Sequence, residues 1–169
     1  MNFLDRYITI LKLLDKVQKE VGKTFIQKSI YILQEGLRKS LGYSYKLYLY
    51  GPFSQDLAND IDSLHEIGLI DVRYDIEKGW YSIKITEKGK MFLEEFKDFG
   101  ASDREIDKVL SLIECRDAKK MELLGTVLYF AKLTSDPKEI RRLMNTVKPH
   151  FNDKEIDEAL KLLQNEELV

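Results

Sequence analysis

Apolar residues recur at helical spacing from the start of the chain. Leu4, Tyr7, Ile8, Leu11, Leu14, Val17 and Val21 mark one face of a helix over Phe3 to Val21, and Ile10 and Leu13 widen that face. An apolar surface this broad calls for cover on two sides, from neighbouring elements or from a second copy of the chain. Gly22 ends the helix, and Thr24 followed three residues later by Gln27 predicts a capping box that opens a second helix running to about Leu41. The period then changes to two. Tyr43, Tyr45, Leu47 and Leu49 fall on one side of a strand, with Ser44, Lys46, Tyr48 and Tyr50 on the other, and Gly51 and Pro52 break it. Ser54 can cap a third helix with Leu57, Ile61 and Leu64 as its buried stripe and Gly68 as its stop. Leu69 to Tyr74 and Trp80 to Ile85 read as a hairpin around a turn at Ile76 to Gly79, and Thr86 caps a fourth helix to about Phe96.

After Gly100 the pattern is helical throughout. Ser102 with Glu105 and Asn152 with Glu155 predict capping boxes, Asp136 with Pro137 a cap and first turn, and Pro149 a break; the segments are Asp103 to Glu114, Ala118 to Leu133, Asp136 to Val147 and Asn152 to Glu166. The order helix, helix, strand, helix, hairpin, helix predicts an α+β, mainly helical chain: a winged helix-turn-helix lobe over 1–98, with the β-hairpin as its wing, followed by a helical lobe over 99–169. No Gly/Ser or Pro-rich linker separates the lobes, so they are expected to pack together.

Composition narrows the function classes. The chain has 169 residues with 27 basic and 29 acidic side chains, a net charge of -2. Residues 1–98 carry 15 of each sign, so the first lobe is not a uniformly basic surface for nucleic acid. One cysteine and two histidines give neither a disulfide nor a zinc-ligand cluster, so no metal or cofactor is expected and the setting is read as cytoplasmic. Met1 to Arg6 lacks a signal-peptide pattern, and the best apolar run, Leu123 to Ala131, falls far short of the roughly 20 residues that span a bilayer. No phosphate-cradling glycine loop is present. His65 reads as a boundary histidine beside an apolar stripe, and Cys115, next to Arg116, as an inert thiol rather than a nucleophile. The expectation is therefore a non-enzymatic protein with no catalytic residues.

The third helix occupies the position of a recognition helix, yet it holds no lysine or arginine. Helical rotation places Gln55, Asn59, Asp62, Ser63 and Glu66 outward, with Asp56 and Asp60 on the flank. Gln55 and Asn59 could read adenine edges. Four carboxylates would nonetheless face a polyanion carrying one charge per roughly 1.7 Å of axis. An acidic surface that is solvated, or that docks on a protein, fits these charges better. Tyr48 and Tyr50, opposite the Leu47 and Leu49 side of the strand, extend the candidate protein-binding set. The alternative is duplex DNA held by backbone contacts from Lys12, Lys16 and Lys23 and from the wing residues Arg73, Lys78 and Lys84, among which Asp71, Asp75 and Glu77 are interleaved.

Two stretches carry resemblances. Residues 54–93, and above all Tyr81-Ser-Ile-Lys-Ile-Thr-Glu-Lys-Gly89, resemble the wing region of PadR-type and MarR-type repressors. Gln27, Lys28, Ile30 and Tyr31, followed by Tyr50, Gly51 and Pro52, resemble the Panacea-type antitoxin domain and related prokaryotic proteins over residues 24–70. That second resemblance implies toxin neutralisation through protein contacts. The combined expectation is a regulatory or antitoxin-like protein-binding module whose partner is a protein such as a toxin. The alternative is a dimeric winged-helix transcriptional regulator of double-stranded DNA; separately, Ile10 and Leu13 on the wide face of the first helix predict a homodimer surface.

Overall fold

A computed structural model describes residues 2–113 and 117–169; Cys115 and Arg116 lie outside the described residues. The chain is α+β and mainly helical, with eight α-helices and two small antiparallel hairpins among the described residues.

Helix α1 (Phe3–Val17) starts where the Asn2 side chain accepts a hydrogen bond from the Leu4 amide. Ile8, Ile10, Leu11, Leu13 and Leu14 are all buried, because α1 is surrounded by later elements of the same chain. Ile10 and Leu13, the residues that suggested a dimer surface, are thus covered within the monomer. The helix ends four residues earlier than its spacing predicts. Gln18 takes a left-handed conformation (φ 54°), and the chain turns so that Val21 exchanges two hydrogen bonds with Ile83, at 3.0 and 2.8 Å. A β-branched residue suits that extended, buried position better than an exposed last turn of helix.

Helix α2 (Lys23–Tyr31) is capped by Gly22 without a side-chain bond, so the expected Thr24 and Gln27 capping box does not form. The Gln27 amide is used elsewhere, as described below. The regular helix stops at Tyr31, well before Leu41, and gives way to a π-helical turn over Ile32–Gly36. The chain then passes through an irregular stretch, with Arg38 and Gly42 at positive φ (59° and 69°), to a hairpin of three-residue strands, β1 (Lys46–Tyr48) and β2 (Gly51–Phe53), in the register Lys46↔Phe53, Leu47↔Pro52 and Tyr48↔Gly51. Gly51 and Pro52 therefore do not break a strand but form one; a sheet of only two strands is all edge, where proline is tolerated. The expected alternation holds from Tyr43 to Leu47, but Leu49 is turned into solvent.

Helix α3 (Gln55–Glu66) is capped by Ser54 and ends at Gly68, whose φ of +81° suits glycine. Strands β3 (Ile70–Asp75) and β4 (Trp80–Ile85) pair over six residues, from Ile70↔Ile85 to Asp75↔Trp80. Helix α4 (Glu87–Glu95) is capped by Thr86. Helices α5 (Asp103–Leu112), α6 (Ala118–Ala131), α7 (Pro137–Val147) and α8 (Asp153–Asn165) follow, with the expected capping boxes at Ser102 with Glu105 and Asn152 with Glu155, and with the Asp136 carboxylate accepting from the Lys138 amide ahead of α7.

One buried cluster runs from Ile8 to Leu168, and α6 lies at its centre against α2, β2, α7 and α8. The passage between α4 and α5 is fixed to α1 by three polar side chains. The Asp5 carboxylate accepts from the Gly100 amide (2.8 Å), the Thr9 hydroxyl from the Ala101 amide (2.9 Å), and the Lys12 ammonium donates to the Phe99 and Ala101 carbonyls (2.9 and 2.8 Å). Lys12 is therefore buried and cannot serve as a phosphate contact. Burial holds its pKa below the usual lysine value. Among the described residues no helix is long and apolar enough to cross a membrane.

Candidate interaction site

The Tyr50-Gly51-Pro52 segment sits where three elements converge. From α2, the Gln27 amide group donates to the Ser54 carbonyl and accepts from the Ser54 amide, both at 2.9 Å, so a side chain pairs with backbone as a neighbouring strand would. Lys28, on the same turn, donates to the Pro52 carbonyl at 2.6 Å. From α6, Gly125 leaves room for the Lys28 stem and the Pro52 ring; a Cβ there would lie 3.2 and 3.5 Å from them. Gly51 has φ +93°, and a Cβ on it would meet the Thr126 hydroxyl at 2.9 Å and Lys28 Cε at 3.3 Å. Glycine is thus required at position 51 by both dihedral and space.

The third element is the segment that follows α7. Lys148, itself buried, pairs with Glu122 of α6 at 2.8 Å and donates to the carbonyls of Tyr48 (3.3 Å) and Leu49. His150 lies 3.6 Å from the same Glu122 oxygen. Two buried ammonium groups, Lys28 and Lys148, therefore share the field of one buried carboxylate. Burial pushes the Lys28 pKa down to about 8; Glu122 opposes that shift and Lys148 adds to it. An amine with a pKa near neutrality is a candidate nucleophile in the abstract. Here it is only 2% exposed and bonded to a backbone carbonyl, so its role is to hold the turn.

These contacts present a solvent-facing tip. Tyr48, Leu49 and Tyr50 are 63, 68 and 64% exposed, and the Tyr48 ring leans on Phe53 with 5.7 Å between centroids. Of the motif residues, Gln27, Lys28, Gly51 and Pro52 are assembled in the buried seat and Tyr50 projects outward from it. Tyr31 is buried nearby against Tyr45.

Phe53 leads directly into α3. Gln55 and Asn59 are exposed and hydrogen-bonded to each other at 3.0 Å; Asp62 and Glu66 are exposed, and Ser63 is half-buried. Asp56, Asp62 and Glu66 have no ion-pair partner among the described residues. Asp60 departs from expectation. It is buried, accepts from the Tyr43 hydroxyl at 2.7 Å and lies 3.8 Å from Arg6, with its pKa raised by burial. The outward face is therefore less acidic by one carboxylate than its composition implies. His65 is exposed on α3, not at the edge of its buried stripe, with Nδ1 3.3 Å from both the Ile70 carbonyl and the Val72 amide.

The basic residues are scattered and mostly partnered. Lys16 pairs with Asp107 (3.0 Å), Arg73 with Asp71 (2.6 Å) and Lys78 with Asp75 (3.6 Å), while Lys23 lies 4.1 Å above the Tyr81 ring. Lys84 is exposed without such a partner among the described residues. Exposed pairs of this kind are weak and can be exchanged for phosphate, but their acidic members stay in place beside any polyanion. No group of three or more metal-ligating side chains occurs among the described residues.

Sequence reasoning missed Glu122, Gly125, Thr126 and Lys148. One signal existed: α6 is apolar around most of its circumference, and a lone glutamate inside such a helix calls for a buried cation. Nothing in the sequence marks Lys148 as that cation.

No family model matches the chain. It is similar to the uncharacterized protein YwgA of Bacillus subtilis (strain 168), at 27% identity over 165 residues, which cover 95% of this chain and 96% of that protein. The similarity thus extends through the C-terminal helices as well as the hairpins.

Proposed function

We propose that this chain is a non-enzymatic, regulatory or antitoxin-like protein-binding module on a winged-helix scaffold, engaging its partner through the Tyr48–Leu49–Tyr50 tip and the outer face of α3. The scaffold reading is supported by the order of elements and by the single antiparallel bridge that Val21 makes to Ile83 on the β4 side of the β3–β4 hairpin. It departs from a plain helix-turn-helix between α2 and α3, where a turn of 3–4 residues is usual and this chain carries a π turn and the β1–β2 hairpin.

The observation that carries the function is the tip itself. Two tyrosines and a leucine are held in solvent by a buried polar seat, and rigid exposed tyrosines favour protein interfaces because they bring large area at small entropic loss. The test is recovery of an identified partner co-purified from the native host. Tyr48→Ala with Tyr50→Ala is expected to reduce recovery at least about tenfold, and Asp62→Lys with Glu66→Lys to do the same, with far-ultraviolet circular dichroism unchanged. Undiminished recovery by both double variants removes the reading.

The wing favours a second reading, a dimeric regulator of double-stranded DNA, because Lys23, Lys78 and Lys84 lie on or beside the β3–β4 hairpin. It predicts duplex binding at low salt that weakens steeply with added salt and further on Lys78→Ala with Lys84→Ala. Absence of any mobility shift at low salt eliminates it.

A further inference from the structure

The geometry points to Lys148, with Glu122 behind it, as the positioning residue of the Tyr48–Leu49–Tyr50 tip, so that the C-terminal helices form part of the interaction site. The inference rests on the protein-binding reading for its purpose, but its test needs no partner.

The hairpin is poorly equipped to hold this shape alone. Each strand is three residues long, and an isolated two-stranded hairpin is at best marginal in water. The two-residue turns that match strand twist require a positive φ at the first loop residue. Leu49 does not have one; in this stretch only Gly51 does. The missing restraint comes from outside. Lys148 gathers the Tyr48 and Leu49 carbonyls on one side of the loop, and Lys28 holds the Pro52 carbonyl on the other. Capture of the Leu49 carbonyl also accounts for its side chain: the peptide is turned toward the buried ammonium, and Leu49 departs from the inward side occupied by Leu47. Glu122 completes the device, since two buried cations without it would repel each other.

The tip offers chymotrypsin three consecutive cleavable residues, whose cutting requires the turn to open. Limited proteolysis of the full chain, with fragments identified by mass, reads that opening directly. Lys148→Met is expected to speed cleavage at 48–50 by at least tenfold while cleavage at Tyr74, Trp80 and Tyr81 of the second hairpin keeps its rate, and Lys148→Arg is expected to restore protection. Glu122→Gln, which leaves Lys148 in place without its counter-ion, is expected to speed tip cleavage to a lesser degree and carries the test if Lys148→Met does not fold. Unchanged tip cleavage in a folded variant, or equal acceleration at both hairpins, overturns the inference. Loss of tip protection together with full partner recovery by both double variants, Tyr48→Ala with Tyr50→Ala and Asp62→Lys with Glu66→Lys, keeps the positioning role and removes the protein-binding reading instead.

Discussion

Gly89→Ala is expected to destabilise the fold by about 3 kcal/mol or more, toward the upper end of what overpacking costs. Gly89 lies in the first turn of α4, where a Cβ would stand 2.1 Å from the Leu69 carbonyl oxygen, 3.0 Å from its carbon and 2.8 Å from Ile85 Cγ1. The obstacle is backbone, and it cannot retreat. The Leu69 carbonyl accepts from the Thr86 amide (3.1 Å), and the Leu69 amide donates to the Leu64 carbonyl (2.9 Å). Helix α4 would have to lift from the sheet, giving up the Thr86 cap on the Gly89 amide. The gain of about 1 kcal/mol that alanine brings over glycine inside a helix does not offset this. Gly79→Ala supplies the comparison: its φ is +71° but nothing lies within 4 Å, so only the dihedral cost of about 1–2 kcal/mol applies. Urea midpoints of the two variants measure the difference. Equal shifts would mean that α4 does not press on Leu69 as closely as the structure has it.

The second large effect is a pH dependence centred on Lys28. Its folded pKa of about 8 lies below the 10.5 of a free lysine, so between these values the unfolded chain binds more protons than the folded one. Stability owed to this group therefore rises with pH: the full cost of burying the charge is present below pH 8 and is relieved as pH climbs toward 10.5. At 1.36 kcal/mol per unit the interval from pH 8 to 10 amounts to about 2–3 kcal/mol. Tyr31, Tyr43 and Tyr45 have pKa values raised by burial, so above pH 10 their ionisation in the unfolded chain works in the opposite direction and closes the window. The quantity to measure is the stability of the parent chain minus that of Lys28→Met, by denaturant titration at pH 7, 8, 9 and 10. The difference should be flat from 7 to 8 and then move in favour of the parent. A difference that stays level to pH 10 would show that the Lys28 ammonium is not desolvated.

Local signals in the sequence hold where their partners are also local. Ser54, Thr86, Ser102 with Glu105, Asp136 and Asn152 with Glu155 all cap the helices they announce, because the accepting and donating atoms lie within three residues of one another. The same pattern at Thr24 and Gln27 misleads because the Gln27 amide bonds a residue 27 positions away. Asp60 was legible in another sense. Leu57, Asp60, Ile61 and Leu64 stand at i, i+3, i+4 and i+7, the spacing of a buried stripe, and only the habit of placing carboxylates outward hides it. The seat of the tip is legible by half: Gln27, Lys28, Gly51 and Pro52 announce themselves through resemblance, whereas Glu122 and Lys148 come from 70 or more positions further along the chain and no period relates them.

The fastening of residues 99–101 to α1 bears on how the two halves of the chain can move. Asp5, Thr9 and Lys12 follow one another at i, i+4 and i+7 and read three successive peptide units like the teeth of a zip. A passage held in this way is not a hinge. Opening it would strand a buried ammonium and a buried hydroxyl at once, and a chain cut after Asp98 would meet the same penalty permanently. The Gly100 turn between the two halves is a seam, stitched to α1 at each of three consecutive peptide units.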